Sequence, residues 1–521
     1  MARPSRYIVL FIALLFVTVV SAQTSTLRES NCRFNIPENI TLDCYTLRVP
    51  ENRQDSNSKD ILLSIAIVRH PSGNPEPDPI MFLQGGPGGS TLSTFDLTYA
   101  SRFEPLLATN RDIILFDQRG TGKSSPRLDC GVYNVLQVNL LDFEFDGQSL
   151  SRDDVEQRLN QSLVTCGERL ASVHDLDGYN TRENAADIEA IRLALGYEQV
   201  NLWGISYGTK LALTAMRDYP DSFRRVVLDS AYPLEANLYT ELPQNFDRAL
   251  HVLFDDCRDD MACNQTYPEL ETVLFGVIER LNERAIRFDA PNPYTNQVYE
   301  DVILDGNLLL RSIFQLLYST DILPRLPQLI YEADANNFES WLVLIGWLTA
   351  QRDAISTGMN YAVQCQEEFA FTEAGSIREA WSAFPNFDEY SQYIDFTADL
   401  DPICNVFNQV DSPEIANFAV ASDIPTLIIA GEYDPITPPR WGEMVANQLT
   451  NSLYLEFEAH GHGPTSSQGC AQSIMIDYLR LEDVDTLDTT CMNDIVLTFS
   501  GTMRGDFDIP DSASIHGTMM P

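Results

Sequence analysis

Short runs of mostly apolar residues alternate along this chain with segments of helical periodicity. Uninterrupted apolar runs bounded by Gly, Pro or charged residues are typical of strands that are buried on both faces of a parallel sheet. The runs of this kind are 62–68, 79–83, 111–116, 199–203, 225–228, 424–431 and 453–457. Strand-like runs that alternate with helical segments predict an α/β fold, with a mostly parallel sheet and helices on both of its faces.

Between the runs at 225–228 and 424–431 the strand pattern fades. Helical segments such as 308–317 and 340–350 dominate this region. We interpret it as a helical cap inserted between two strands of the sheet. The predicted division of the chain is a signal peptide at 1–22, a core at 23–235 and 416–499, the cap at 236–415, and a loosely packed tail at 500–521.

Ser206 lies in the stretch Gly204-Ile205-Ser206-Tyr207-Gly208, between the strand-like run 199–203 and a helix-like run at 209–216. A serine at a tight strand-to-helix turn has a strained backbone that exposes its hydroxyl. Only glycines two residues away on each side allow strand and helix to pass so closely. A bare G-x-S-x-G is a weak signal because Gly and Ser are common in turns, but this placement makes Ser206 the candidate nucleophile.

A serine nucleophile needs a base, and the base needs a group that orients it. The run 424–431 continues into Asp434, the candidate orienting acid; the alternative is that Asp434 only initiates a turn or caps the following helix. After the run at 453–457, His462 lies in a glycine-rich loop and is the candidate base. His460 competes with it, but only His462 has glycine on both sides.

The oxyanion that forms during acyl transfer requires N–H donors. The run 79–83 ends in a glycine-rich segment at 84–90, where backbone N–H groups can face a ligand without side-chain obstruction. We assign the two donors to the amides of Gly86 and Tyr207, the latter being the residue after the nucleophile. The chain order Ser, Asp, His is that of the α/β-hydrolase fold.

Two further polar residues follow predicted strands. Arg119 comes shortly after the run at 111–116, and Asp229 follows directly on the run at 225–228. We interpret both as structural supports of the loops at the sheet edge rather than as participants in the chemistry.

With these motifs the chain resembles the α/β-hydrolase peptidases related to proline iminopeptidase, and in particular their secreted tripeptidyl-aminopeptidase-like branch with its TAP-like C-terminal region. The motifs that carry the resemblance, in family order, are 84–90, 117–124, 204–209, 431–438 and 461–463. Proline iminopeptidases proper usually begin the first motif with His. This chain has Gln84 there, which favours the tripeptidyl branch and argues against strict proline specificity. The resemblance implies release of short peptides or single residues from peptides with a free N-terminus.

An aminopeptidase must also hold the charged amine of its substrate, which a buried carboxylate can do. A Cys-x-Glu element occurs in the cap of the resembling family, and Cys365-Gln366-Glu367 matches it. Glu367 is therefore the candidate amine-binding residue, with Glu368 as the fallback. The competing interpretation is a solvated helix carboxylate, as most Asp and Glu side chains of so acidic a chain must be.

The first residues predict export. Arg3 and Arg6 precede an apolar run at 7–20, and the small residues before Gln23 fit cleavage after Ala22, as in a secretory signal peptide. The run is too short to span a bilayer comfortably, so we expect no stable membrane insertion. A retained signal anchor is the alternative.

All ten cysteines lie beyond this segment, an even number that predicts disulfides in an oxidising compartment. No Cys or His cluster has the spacing of a zinc site, so a structural metal is not expected. The sequence leaves the connectivity open. Joining neighbours along the chain would pair 32 with 44, 130 with 166, 257 with 263, 365 with 404, and 470 with 491.

The formal net charge of −41 opposes binding to nucleic acids or anionic membranes. It indicates a solvated acidic exterior, or a negative field that favours substrates with a cationic end; composition does not choose between these.

Together the residues predict an exported serine hydrolase that needs no cofactor, and the family resemblance implies that it is an exopeptidase. Ser206 would attack the scissile carbonyl, His462 would transfer the proton, and Asp434 would orient the imidazole. An esterase or lipase-like hydrolase is the alternative, since the same triad cleaves esters. A non-catalytic binding protein on the same scaffold is a further alternative.

Overall fold

The computed structural model describes residues 26–38, 40–351, 354–388, 400–408, 412–466, 468–483 and 486–499. The predicted signal peptide with its cleavage site after Ala22 and the predicted tail at 500–521 lie outside the described residues.

The strands of the described residues belong to one large sheet and two small hairpins. They are β1 (Thr26–Glu29), β2 (Leu42–Pro50), β3 (Asp60–Val68), β4 (Ile80–Leu83), β5 (Ile113–Asp117), β6 (Glu144–Phe145), β7 (Gln148–Ser149), β8 (Val200–Ile205), β9 (Phe223–Asp229), β10 (Ile286–Pro291), β11 (Val298–Leu304), β12 (Thr426–Gly431) and β13 (Ser452–Phe457). The large sheet has the order β1-β2-β3-β5-β4-β8-β9-β12-β13. Six neighbouring strands of this sheet are parallel: β5, β4, β8, β9, β12 and β13. The strands β1, β2 and β3 extend the sheet at one edge with antiparallel pairing. The predicted mostly parallel α/β sheet is confirmed.

The α-helices of the described residues cover the sheet and fill the inserted region. They are α1 (Phe95–Thr98), α2 (Gly131–Asn139), α3 (Arg152–Ala171), α4 (Thr181–Leu195), α5 (Tyr207–Asp218), α6 (Leu238–Asp259), α7 (Met261–Thr266), α8 (Leu270–Glu283), α9 (Gly306–Leu316), α10 (Leu326–Asp334), α11 (Glu339–Ala350), α12 (Thr357–Glu367), α13 (Ser376–Ser382), α14 (Pro385–Asp388), α15 (Leu400–Phe407), α16 (Pro439–Gln448) and α17 (Cys470–Arg480).

Alternate residues of each central strand pack into two different apolar clusters, one on each face of the sheet. In β8, Leu202 joins the cluster with α4, α5 and α16, and Trp203 joins the cluster with α1 and α17. Burial on both faces explains why these strands read as continuous apolar runs rather than as alternating ones.

Between β9 and β12 the chain forms α6 to α15 and the antiparallel hairpin β10–β11. The predicted helices at 308–317 and 340–350 correspond to α9 and α11. The sequence reading missed the hairpin, because its strands are half exposed and lack a continuous apolar run. The division of the chain at residues 236 and 415 stays a proposal.

All five predicted disulfides are present: Cys32–Cys44, Cys130–Cys166, Cys257–Cys263, Cys365–Cys404 and Cys470–Cys491. No cysteine of the described chain is free. Each bridge closes a loop of 6 to 39 residues and so restricts the unfolded chain. Across the described ranges, no helix combines the length and apolar character that a membrane crossing requires.

Candidate active site

Ser206 occupies a sharp turn between β8 and α5. Its backbone has φ 58° and ψ −127°, a conformation that non-glycine residues rarely adopt. A Cβ atom at Gly204 would overlap the carbonyl oxygen of Gly208, and a Cβ atom at Gly208 would overlap that of Leu83. The two glycines of the motif are thus required by the close approach of strand and helix.

Hydrogen bonds on both sides hold this strained turn. The Ser206 N–H donates to the carbonyl oxygen of Asp229 at 3.0 Å. The Thr209 hydroxyl donates to the Ser206 carbonyl at 2.6 Å and accepts the Tyr232 N–H at 2.7 Å. A backbone of this kind costs about 1–3 kcal/mol and persists only where its surroundings fix it.

Asp434 follows β12 and is fully buried. Its Oδ2 lies 2.7 Å from Nδ1 of His462 and accepts the Thr437 hydroxyl at 2.6 Å, while Oδ1 accepts the backbone N–H groups of Ile436 and Thr437. Burial alone would raise the pKa of Asp434, but His462 and the Thr437 hydrogen bonds hold that pKa below its usual value. The carboxylate is therefore kept ionised beside the imidazole.

The two ring nitrogens of His462 differ in their hydrogen bonding. Nδ1 pairs with Asp434, whereas Nε2 is buried and makes no hydrogen bond within the described ranges. The next residue, Gly463, donates its N–H to Ser230 Oγ at 2.8 Å, and a Cβ there would lie 3.3 Å from Ile205, the residue before Ser206. The loop thus brings the histidine to the Ser206 turn. Catalytic hydrogen bonds are often long in unliganded enzymes and tighten around the substrate.

His460, the competing base, points elsewhere. Its Nδ1 lies 2.7 Å from the carbonyl oxygen of Glu458, its ring packs against Phe457, and burial lowers its pKa. The structure brings His462, and not His460, to Asp434.

The predicted oxyanion loop begins beside the Ser206 turn. Leu83 at the end of β4 pairs with Gly204, so the loops after β4 and β8 start side by side. Tyr207 is the first residue of α5, and its N–H therefore has no acceptor within the helix. Gly86 has φ 121°, which a side chain would strain. The inserted region supports this loop, since the Asn360 side chain donates to the Pro87 carbonyl at 3.0 Å.

Residues 78–259 match the family described as alpha/beta hydrolase fold, and residues 392–491 match the family described as TAP-like protein. This chain is an α/β-hydrolase with a TAP-like C-terminal region.

Relatives of this α/β-hydrolase include peptidases. It is 23% identical to the serine protease Hip1 of Mycobacterium tuberculosis over 475 residues, 87% of each chain. It is 27% identical to the tripeptidyl aminopeptidase of Streptomyces lividans over 234 residues, 44% of this chain and 43% of the other. The probable proline iminopeptidase of Leptolyngbya boryana is 27% identical over 199 residues, 36% of this chain and 46% of the other. The α/β-hydrolase is thus a serine-peptidase-like enzyme, and the resemblance is confirmed.

Glu367, the last residue of α12, and Glu368, which follows it, are buried, so the interpretation of solvated carboxylates is wrong. Glu367 accepts both the N–H and the hydroxyl of Thr181 at 2.6 Å, at the start of α4. Glu368 pairs with Lys210 and accepts the Leu238 N–H at 3.0 Å. Burial raises the pKa of Glu367, although Lys210 and Thr181 oppose the rise. The amine-binding role of the two carboxylates stays a prediction.

Lys210 connects this acidic pair to the nucleophile. It lies one helical turn beyond Ser206 on α5, and its ammonium is 4.6 Å from the centre of the Tyr232 ring. It lies 4.0 Å from Glu367 and in direct contact with Glu368. The buried cluster has two carboxylates and one ammonium group.

Sequence reasoning missed two residues that fix the loop 432–438, which carries Asp434 and is called the acid loop. Thr437 lies in the motif 431–438, where the sequence pattern assigns it no role, and it contacts both Asp434 and His462. Arg248 on α6 donates to the carbonyl oxygens of Glu432 and Asp434 at 2.6 and 2.7 Å. No local signal could have found Arg248, because its partners are distant in the chain.

Arg119 is buried and supports the sheet edge, as interpreted. Its guanidinium binds the carboxylate of Asp187 and the backbone carbonyl of Glu51. In the part of the chain that the structure describes, no group of three or more His, Cys, Asp or Glu side chains could hold a metal ion.

Proposed function

We propose that this α/β-hydrolase is an exported serine exopeptidase, an aminopeptidase with Ser206, His462 and Asp434 as its catalytic triad. The observation that carries the proposal is the 2.7 Å pairing of Asp434 with Nδ1 of His462, whose Nε2 makes no hydrogen bond to any described residue. An imidazole oriented by an acid, with its second nitrogen left for a serine hydroxyl, is what nucleophilic catalysis by a serine requires, and this supports the proposal.

In the proposed mechanism the Ser206 hydroxyl oxygen forms a bond to the scissile carbonyl carbon while Nε2 of His462 takes the hydroxyl proton. Asp434 stabilises the resulting imidazolium. The C–N bond then breaks, and His462 returns the proton to the leaving amine. Water, activated by the same imidazole, hydrolyses the acyl-enzyme and restores the Ser206 hydroxyl.

The backbone N–H groups of Tyr207 and Gly86 would stabilise the oxyanion of each tetrahedral intermediate. The adjacency of their two loops, set by the pairing of Leu83 with Gly204, supports this assignment. A donor of this kind contributes roughly 3 kcal/mol in comparable hydrolases.

The aminopeptidase proposal rests on the relatives named above and on the buried acidic cluster. Two carboxylates, Glu367 and Glu368, face one ammonium, that of Lys210, so the cluster has one excess acid. A substrate ammonium group would supply the missing positive charge and would favour ionisation of Glu367, which burial opposes. To bind the amine directly, Glu367 must loosen its contacts with Thr181.

Export is proposed from the N-terminal sequence pattern together with the five disulfides. Disulfides form and persist in oxidising compartments, and they are rare where glutathione keeps thiols reduced. We also propose that the chain divides into a core and a cap at residues 236 and 415. Specificity would then reside in the cap, since Glu367 ends α12 and Glu368 follows it.

The deciding experiment compares three substrate types on the purified enzyme. These are peptide anilides with a free amine, the same anilides with a blocked amine, and short acyl esters. Fast cleavage of the free-amine anilides alone supports an aminopeptidase, and mass spectrometry of a digested peptide library would count the residues released. Equal cleavage of the free-amine and the blocked anilides would refute the exopeptidase assignment. Cleavage of the esters alone would also refute it and would establish an esterase.

A further inference from the structure

Asp229 occupies the centre of the candidate site. It ends β9, the strand between β8, which leads to Ser206, and β12, which leads to Asp434. In the sheet it is paired with Ile205 on one side and Ile429 on the other. Its side chain is fully buried at the carboxyl edge of the sheet.

Asp229 contacts both the turn at Ser206, called the nucleophile turn, and the loop after β13 that carries His462, called the histidine loop. Its backbone carbonyl accepts the Ser206 N–H at 3.0 Å. Its Oδ2 accepts the Thr465 N–H at 2.8 Å and the Thr465 hydroxyl. Thr465 lies three residues after His462, so a single aspartate holds both loops.

The second carboxylate oxygen of Asp229 is unusual. Oδ1 is buried and makes no hydrogen bond to any described residue. The charged or titratable groups that interact electrostatically with Asp229 include His462 and Asp434, on the two neighbouring loops, and the buried Arg102. The pKa of Asp229 is raised to about 6, because the effects of burial and of Asp434, which raise it, exceed those of the Thr465 hydrogen bonds and His462, which lower it. An unpaired carboxylate oxygen is costly to bury, and such a group calls for an explanation.

We propose that Asp229 is a positioning residue of the triad, which holds the histidine loop through Thr465 and stabilises the His462 imidazolium with its negative charge. Asp434 pairs directly with the imidazole, and Asp229 adds a second anion to the same cation. This role replaces the purely structural one expected from the sequence. It rests on the proposed triad chemistry and not on the choice of substrate.

The variant Asp229→Asn separates the two parts of the role. The amide oxygen of Asn still accepts the Thr465 hydrogen bonds, and only the charge is lost. The imidazolium then forms less readily, so the acid limb of the rate–pH profile should move by about one unit to lower pH. The plateau rate should fall, because the imidazole becomes a weaker base.

Ser230→Ala is the matched control. Ser230 Oγ accepts the Gly463 N–H at 2.8 Å, so this variant loosens the same loop without a change of charge. Its rate should fall while the acid limb stays in place.

The readout is the rate at which an active-serine fluorophosphonate labels the enzyme, measured from pH 4 to pH 9. Labelling needs the triad but no peptide, so an enzyme that labels yet cleaves no peptide refutes the exopeptidase and leaves this inference standing.

In a Ser206→Ala background, NMR titration of the His462 ring signal gives the same comparison without turnover. Thr465→Val removes one hydrogen-bond donor to Asp229, so the Asp229 carboxylate is less ionised. This variant should shift the titration of the His462 ring signal to lower pH, as Asp229→Asn does. Unchanged titration of His462 in both variants would overturn the proposal.

Discussion

The Asp434 carboxylate lies 2.7 Å from Nδ1 of His462, although the two residues belong to loops that follow different strands. β12 and β13 are parallel neighbours, with Gly431 opposite Phe457, so both loops leave the same sheet edge. The register of the strands therefore brings the acid to the base.

Replacing Ser206 with Ala should reduce turnover by about six orders of magnitude, as loss of a serine nucleophile does in other hydrolases. The fold should persist. Ser206→Gly should be equally inactive but about 1 kcal/mol more stable than the Ala variant, because glycine tolerates φ 58°. Turnover and urea unfolding of both variants test this; substantial residual turnover would reject Ser206 as the nucleophile.

Thr437→Val should lower kcat about tenfold. The hydroxyl that donates to Asp434 at 2.6 Å is lost, and the pKa of Asp434 should rise because one of the groups that lowers it is gone. Thr437→Ser keeps the hydroxyl and should retain most of the activity. A loss of kcat in Thr437→Ser as large as that in Thr437→Val would contradict the assigned role of the hydroxyl, because only the Ser variant keeps it.

Arg248→Met should weaken both activity and stability. It leaves the carbonyl oxygens of Glu432 and Asp434 without their guanidinium donor, at a cost of about 1–3 kcal/mol in the free energy of unfolding. Arg258→Met is the control, since Arg258 is on the same helix but largely exposed. If both changes have the same effect on unfolding and kcat, the contact of α6 with the acid loop is unimportant.

Glu367→Gln should reduce cleavage of free-amine peptides far more than cleavage of simple esters. The amide cannot balance the charge of a substrate ammonium, whereas an ester without an amine does not need it. Glu368→Gln removes the negative charge in direct contact with the buried ammonium of Lys210, so it should also reduce stability. Measured kcat/KM values for both substrate types decide the matter, and equal losses on the two would reject Glu367 as the amine ligand.

The stability of the enzyme should depend on pH through Asp229. Its folded-state pKa, near 6, lies above the ordinary 3.8, so the folded state binds the proton more tightly than the unfolded chain. The contribution of Asp229 to the free energy of unfolding therefore falls as pH rises through this interval. Asp229→Asn removes that cost and should be more stable than the parent above pH 6, by up to about 3 kcal/mol. At pH 4 the two should unfold alike in urea; a pH-independent difference would contradict the assignment.

Much of the site could be predicted from the sequence because its signals are local. Gly204 and Gly208 mark the turn of Ser206, since only glycine permits the backbone contacts there. Asp434 directly follows a buried strand, and His462 has glycine on both sides. The neighbour pairing of the cysteines agreed with the structure because every bridge closes a short loop.

The sequence alone determined the order of the strands along the chain, the turn that exposes one serine, and which short segments follow buried strands. These depend on sterics and on apolar runs within a few residues. Only the tertiary structure decided that Glu367 and Glu368 are buried beside Lys210, that Arg248 holds the acid loop, and that one oxygen of Asp229 has no hydrogen-bond partner among the residues described. Burial and charge pairing join residues far apart in the chain, and the free energy of a buried charge depends on neighbours that no local pattern contains.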